Sequence, residues 1–317
     1  MKKKISIIGT GKIAQFHLPA LKEVGFEVVS CCGSPNSKTA RIFSKKNNIQ
    51  SVYNNYEELL NSHEKSDCFL IATDTKVTPE ILRKCLSTNK PILVEKPISH
   101  NQLVLNQLLK LDTKNVLVGY NRRFYSTINY AKKFISENNP CFINVELPDK
   151  YENFMENSVH GLDVINYILP NSTIRKIETY KQPNNGTGKF AIFETSRGDK
   201  CFVNFNWDLP ANYSLVIDAF PYRLQLKPFE ELKVFHGMKV CPPTNNYPIR
   251  KYMPKQIKNE NVFKTSKKFK PGFLEQAEDF LKIVHGKRSD KGADIKSAHT
   301  AIDWANKIIN YNEHCFK

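Results

Sequence analysis

The stretch "ISIIGTGKIA", Ile5 to Ala14, decides the fold. Ile5, Ile7 and Ile8 make a short apolar run that suits a buried strand, and Gly9 ends it. Gly9, Gly11 and Ala14 then fill the three small positions of G-x-G-x-x-G/A. The first glycine permits a tight turn. The second lets the backbone approach a pyrophosphate, and the third small residue lets a helix pack on the strand. The helix that follows presents free N–H groups and the positive end of its dipole to an anion. A strand, this turn and a helix at the head of a β-α series point to dinucleotide binding.

Working outward, β-rich runs alternate with helical stretches as far as Tyr120. "FEVVSCC", "SVY", "DCFLIAT", "PILVE" and "NVLVGY" read as strands. "NSKTARIFSKKNN", "YEELLNS", "TPEILRKCLSTN" and "HNQLVLNQLLKLDT" read as the helices between them. The strands are continuous apolar runs, as expected when helices cover both faces of a parallel sheet. This is a doubly wound α/β pattern. After Tyr120 the texture changes. "STINYAKKFISEN" and "SVHGLDVINYIL" read as helices, while "CFINVEL", "IRKIETY", "KFAIFETS", "CFVNFNWDL", "YSLVIDAF", "YRLQLKP" and "ELKVFHG" read as strands with short connections. The expected fold is an N-terminal Rossmann domain, residues 1–120, followed by an α+β domain, residues 121–317. The second domain carries a large, mostly antiparallel open sheet, and two helices close the chain.

The 317 residues suit two domains. No run approaches the roughly 20 apolar residues of a membrane helix, and Met1–Lys4 is followed by no cleavage site, so the reading is cytoplasmic, without membrane insertion. The eight cysteines include no C-x-x-C pair, which suits reduced buried thiols and no metal. Net charge is +16, and it thickens in "IRKYMPKQIKNENVFKTSKKFK", Ile249 to Lys270. This stretch reads as a solvated Lys-rich loop, secondarily as a lure for an anionic small substrate. No nucleic-acid module appears.

"SCCGSPNSK" ends the second strand, and no Asp or Glu lies between Glu27 and Glu57 to take a ribose 2′-hydroxyl. Ser34, Ser37, Lys38 and Arg41 suit a 2′-phosphate instead. The cofactor is therefore NADP(H) or NAD(H), leaning to NADP(H).

With "IIGTGKIA", "IATDT", "VEKPIS", "VGYNRRF" and "ENSVHGLDVINYIL" in this order, the chain resembles the Gfo/Idh/MocA family over nearly its whole length. The resemblance implies NAD(P)-dependent oxidation or reduction of a carbinol or ketone on a sugar-like substrate. It implies cofactor contacts from Gly9, Thr10, Gly11, Lys12, Ile13, Ser34, Lys38, Thr73, Glu95, Lys96 and Asn121. It makes Lys96 and His160 catalytic, with Glu156 where relatives commonly have Asp. Lys96, Arg123, His160 and Asp163 would face the substrate. Were this stretch helical, the spacing i, i+4 would put Glu156 and His160 on one face, with Asp163 three further on.

His160 would exchange the hydroxyl proton and Lys96 would stabilise negative charge on the oxygen, roles that could be exchanged. The positive balance favours an anionic substrate such as a nucleotide sugar, sugar acid or sugar phosphate, which would fit surface-glycan biosynthesis. Two other readings stand beside this one. One is a cofactor-binding sensor or regulator without chemistry, motivated by Glu156 and by Asp74 after "IAT". The other is an imine or tetrapyrrole reductase. Phe202, Val203, Phe205 and Trp207 cannot all point inward, so a homodimer or homotetramer through the C-terminal sheet is expected.

Overall fold

A computed structural model describes residues 2–138, 140–181, 187–265 and 268–311. Cys315, Lys267 and the end of the expected last helix lie outside the described residues. The chain divides into two compact units. The first holds Met1–Phe124 with Ser266–Asp303, the second Tyr125–Thr265 with Trp304–Lys317.

In the first unit, strands and helices alternate as β1 (Lys4–Ile8), α1 (Lys12–Glu23), β2 (Glu27–Cys32), α2 (Lys38–Asn47), β3 (Ser51–Tyr53), α3 (Tyr56–Asn61), β4 (Cys68–Ile71), α4 (Thr78–Leu86), β5 (Ile92–Val94), α5 (Gln102–Leu108) and β6 (Val116–Val118). The six strands form one parallel sheet in the order β3-β2-β1-β4-β5-β6. β4, β5 and β6 are buried at every position, which is why they read as unbroken apolar runs. Their carboxyl ends make the edge where open α/β sheets bind ligands.

The expected single cut after residue 120 gives way to a returning segment. Helix α9 (Phe273–Val284) belongs to the first unit, not to the second. It buries Phe273, Ala277, Phe280 and Ile283 in the same core cluster as Ile5, Leu18, Leu21 and Phe26. The Phe280 ring stacks on Phe26 at 5.8 Å. Truncating such a ring to Ala costs about 3–5 kcal/mol, so the helix is part of this core. Further on, the Val118 N–H donates to Ala293 O at 2.8 Å.

The second unit contains α6 (Ser126–Glu137), β7 (Phe142–Glu146), α7 (Val159–Ile168), β8 (Thr173–Lys181), β9 (Thr187–Glu194), β10 (Lys200–Asn206), β11 (Ser214–Ala219), β12 (Tyr222–Leu226), β13 (Glu231–Cys241), β14 (Lys251–Asn261) and α8 (Val262–Thr265). Its eight strands run β14-β13-β12-β11-β7-β10-β9-β8. Among the described residues, only the β7–β10 pair of this sheet is parallel. β10 resolves the aromatic cluster by alternation: Cys201, Val203 and Phe205 are buried, while Phe202 and Asn204 are half-buried on the opposite face. The Lys-rich stretch expected as a loop is largely the 11-residue edge strand β14. Lysines and Pro254 hide the strand pattern, yet both suit an edge, where no further strand must pair.

The last helix, α10 (Ile295–Ile309), contributes to both units. Within the second, the buried Lys189 ammonium donates to the carbonyls of Ile308, Ile309 and Tyr311 at 2.8, 2.8 and 2.9 Å. A cation on the last carbonyls satisfies groups the helix itself cannot. Burial pulls the Lys189 pKa below its ordinary value.

Candidate functional site

The glycine turn sits between β1 and α1, and its two glycines do different work. Gly9 has φ +95°, and a Cβ built there would lie 2.3 Å from Ala72 O. Its N–H donates to Cys32 O at 2.9 Å. Gly9 is therefore required by the protein's own backbone. Gly11 has an ordinary φ of −70°, and a Cβ there would meet nothing within 4 Å. It stands at the N-cap of α1, where no side chain caps the helix. Ala14 is fully buried. Thr10 Oγ1 is buried with no hydrogen-bond partner among the described residues. Open space over Gly11, an uncapped helix start and an unsatisfied hydroxyl fit the pyrophosphate of a dinucleotide. Lys12 is exposed at the first position of α1, and Ile13 packs partly buried against the core.

Beside this turn lies a cavity of about 380 Å³, lined by the ends of β1, β2 and β4 and by the first residues of α3. Thr10, Ser34, Thr73 and Asp74 line it, as expected for the adenosine end of a Rossmann site. Thr73 Oγ1 bonds Thr78 Oγ1 at 2.8 Å. Asp74 Oδ1 accepts the Lys76 N–H at 2.9 Å. Lys38 and Arg41 do not line the cavity; both are exposed on α2. Asn55, Tyr56 and Glu57 do line it. These three were not singled out from sequence, because α3 carries no phosphate motif.

β5 ends at Val94, and Glu95 folds back under the sheet edge. Glu95 Oε1 lies 2.5 Å from Nε2 of His17, with both residues buried. Its Oε2 accepts the Lys96 N–H at 3.3 Å. Gly119 makes room for this carboxylate, since a Cβ there would meet Glu95 Oε1 at 2.9 Å. Lys96 is thus held, half-buried, at the carboxyl end of β5. His17 was missed in the sequence reading. The available signal was a lone polar residue on the apolar stripe Ala14–His17–Leu18–Leu21 of α1.

The His17 ring packs on Phe273 at 4.6 Å between centroids. Lys270 lies over Phe16 and Phe273, 5.0 Å from each ring centre. Desolvation by this apolar wall lowers the Lys270 pKa. Glu95 opposes that shift, while Arg122 and Lys12 add to it. Lys270 therefore feels two cations, Lys12 and Arg122, and one carboxylate, Glu95. The buried Asn121 donates from Nδ2 to Pro271 O at 2.9 Å. Buried Arg123 donates to Gly292 O at 3.4 Å. Both side chains hold the returning segment.

In the second unit the "FMENSVHGLD" stretch departs from a regular helix. Phe154–Ser158 forms a π-helical turn before α7 begins. Its i→i+5 bonding widens the turn locally. Phe154 anchors the turn edge-on against Phe205 and Trp207. Glu156 and His160 are both half-buried. Asp163 is fully buried, at 0 % exposure, and presents no surface to a substrate. Gly161 brings α7 close to β7's end, where a Cβ would meet Leu147 Cδ2 at 2.3 Å.

The parallel sheet, the glycine turn and the cavity beside it define a Rossmann nucleotide-binding unit. Residues 3–120 match the family model GFO_IDH_MocA, described as an oxidoreductase family with an NAD-binding Rossmann fold. Among curated relatives, myo-inositol 2-dehydrogenase of Thermotoga maritima is 21% identical over 184 residues, 52% of this chain and 54% of that protein. The chain spans about half the length of the curated relatives it matches. The fold as a whole is similar to solved structures. UDP-N-acetylglucosamine 3-dehydrogenase of Acidithiobacillus ferrooxidans has a TM-score of 0.75 at 13% identity, covering 97% of each chain. Myo-inositol dehydrogenase of Lactobacillus casei, solved with NAD(H) and myo-inositol, has a TM-score of 0.73 at 16% identity, covering 96% of this chain and 93% of that one. Among the described residues, no helix is long and apolar enough to cross a membrane.

Proposed function

We propose that the chain is an NAD(P)-dependent oxidoreductase acting on a carbinol or ketone carbon of a sugar-like, anionic substrate. The observation that carries this reading is Lys96. It stands at the carboxyl end of β5, fixed through Glu95 to His17, in the unit that also holds the phosphate-binding turn. Bound nicotinamide supplies or accepts the hydride. Gly11, Thr10 and the start of α1 bind the pyrophosphate. Lys96 donates a hydrogen bond to the reacting oxygen and stabilises its developing negative charge. His160 exchanges the hydroxyl proton, a task suited to imidazole, whose ordinary pKa lies near neutrality. Glu156 serves as its carboxylate companion. The net charge of +16 supports an anionic substrate, such as a nucleotide sugar or sugar acid of surface-glycan synthesis.

The protein acts in the cytoplasm, a placement supported by the cysteines of the described residues being free thiols. It assembles as a homodimer or homotetramer through the outer face of the eight-stranded sheet. There the Phe142 and Phe202 rings pair at 5.0 Å, with Phe142 46 % exposed.

The test is turnover and cofactor affinity in Lys96→Ala and His160→Ala. Each is expected to lose about 100-fold or more in kcat, the size of a general acid–base or oxyanion contribution, while still binding the dinucleotide. Full activity in either variant overturns that residue's role. Cofactor binding with no hydride transfer to any sugar tested favours the sensor reading.

A further inference from the structure

We infer that the adenosine end of the nucleotide site selects the unphosphorylated cofactor, NAD(H), through an acidic wall centred on Glu57. This rests on the cofactor reading above, and it reverses the lean drawn from Ser34, Lys38 and Arg41. The second strand supplies no carboxylate for the ribose. The structure brings one from elsewhere: Glu57, at the start of α3, lines the same cavity as Ser34 at the end of β2. Asp74 lines it from the end of β4, and no Lys or Arg is among the lining residues.

The surroundings reinforce the sign. Lys84 Nζ lies 3.2 Å from Glu57 and 3.5 Å from Glu80. The Tyr56 hydroxyl donates to Glu80 at 2.8 Å and accepts from Lys84 at 3.2 Å. Glu58 lies alongside, accepting the Asn54 N–H at 3.2 Å. One ammonium thus faces two carboxylates, Glu57 and Glu80, and the group keeps a negative balance. The bond with Tyr56, more than the Lys84 ammonium, holds Glu57 below the usual carboxylate range against the opposing effect of burial. Burial pushes the Cys32 thiol at the end of β2 up to about 12, with smaller contributions from Cys31 and then from Glu57 and Glu58.

A ribose 2′-hydroxyl can donate to such a carboxylate. A 2′-phosphate brings roughly −1.5 to −2 charges and only acceptor oxygens, so it meets the Glu57 and Asp74 carboxylates and no cation of the lining; Lys84 is already paired with Glu57 and Glu80. Lys38 and Arg41, the cations the sequence offered, are exposed on α2 outside the lining. A chain of strongly positive total charge therefore keeps its adenosine cavity acidic.

The test is titration of the full chain with NADH and with NADPH, following nucleotide fluorescence. NADH is expected to bind at least about tenfold tighter, the scale of one or two unit charges at contact in a solvated site. Glu57→Gln is expected to narrow that ratio severalfold by improving NADPH binding. Lys38→Ala and Arg41→Ala are expected to leave it within about twofold. NADPH binding as tightly as NADH overturns the inference, and needs no variant to show it. So does a ratio that moves with Arg41→Ala but not with Glu57→Gln. Binding of neither nucleotide overturns the cofactor reading beneath it.

Discussion

The nucleotide unit carries two neighbourhoods of opposite charge. The adenosine cavity is lined by the carboxylates Glu57 and Asp74 and by no Lys or Arg, with Lys84 pairing Glu57 from outside the lining. Around Lys270, the cations Lys12 and Arg122 join it to outnumber the one carboxylate, Glu95. Both belong to one compact unit of a chain with net charge +16. Total charge therefore says little about either. What a ligand meets is set by which strand ends and helix starts converge, and local sign can oppose the sum over the whole surface.

The glycine turn offers the largest way to sharpen this contrast, because its two glycines predict opposite outcomes. Gly9→Ala forces a Cβ against Ala72 O at a positive φ. A loss of about 3 kcal/mol in chemical denaturation is expected; a wild-type midpoint would mean the turn is not built this way. Gly11→Val meets no protein atom within 4 Å of the new Cβ. Stability should hold within about 1 kcal/mol, while dinucleotide affinity falls by about 30-fold, equivalent to about 2 kcal/mol. Retained affinity there would break the assignment of the pyrophosphate to α1. The smallest effect belongs to the other neighbourhood. His17→Leu keeps the packing on Phe273 but leaves the Glu95 carboxylate without its buried partner. About 1–2 kcal/mol of stability should go with it, and thermal unfolding would show no change if the pair were incidental.

The alternation of strands and helices through residue 120 was legible because parallel strands, buried on both faces, print continuous apolar runs. The turn from Gly9 to Ala14 was legible because its geometry demands small residues at fixed spacing. The acidic wall was not. Glu57 and Asp74 come from separate β-α turns, and only the strand order brings them beside Ser34. β14 reads as a loop in the sequence because edge strands tolerate the lysines and proline that hide their pattern. The π-helical turn before α7 was not legible, since residue spacing alone cannot register a widened turn.

The returning segment 266–303 has a consequence for how the chain is made. On the ribosome the glycine turn emerges well before helix α9, so Phe26 and Leu21 gain Phe280 only after some 250 further residues are synthesised. The nucleotide-binding unit cannot be finished in order of synthesis. It waits, with one side of its core uncovered, while the residues of the eight-stranded sheet are translated in between. A ribosome-bound fragment ending near residue 124 would expose that apolar side to chaperones.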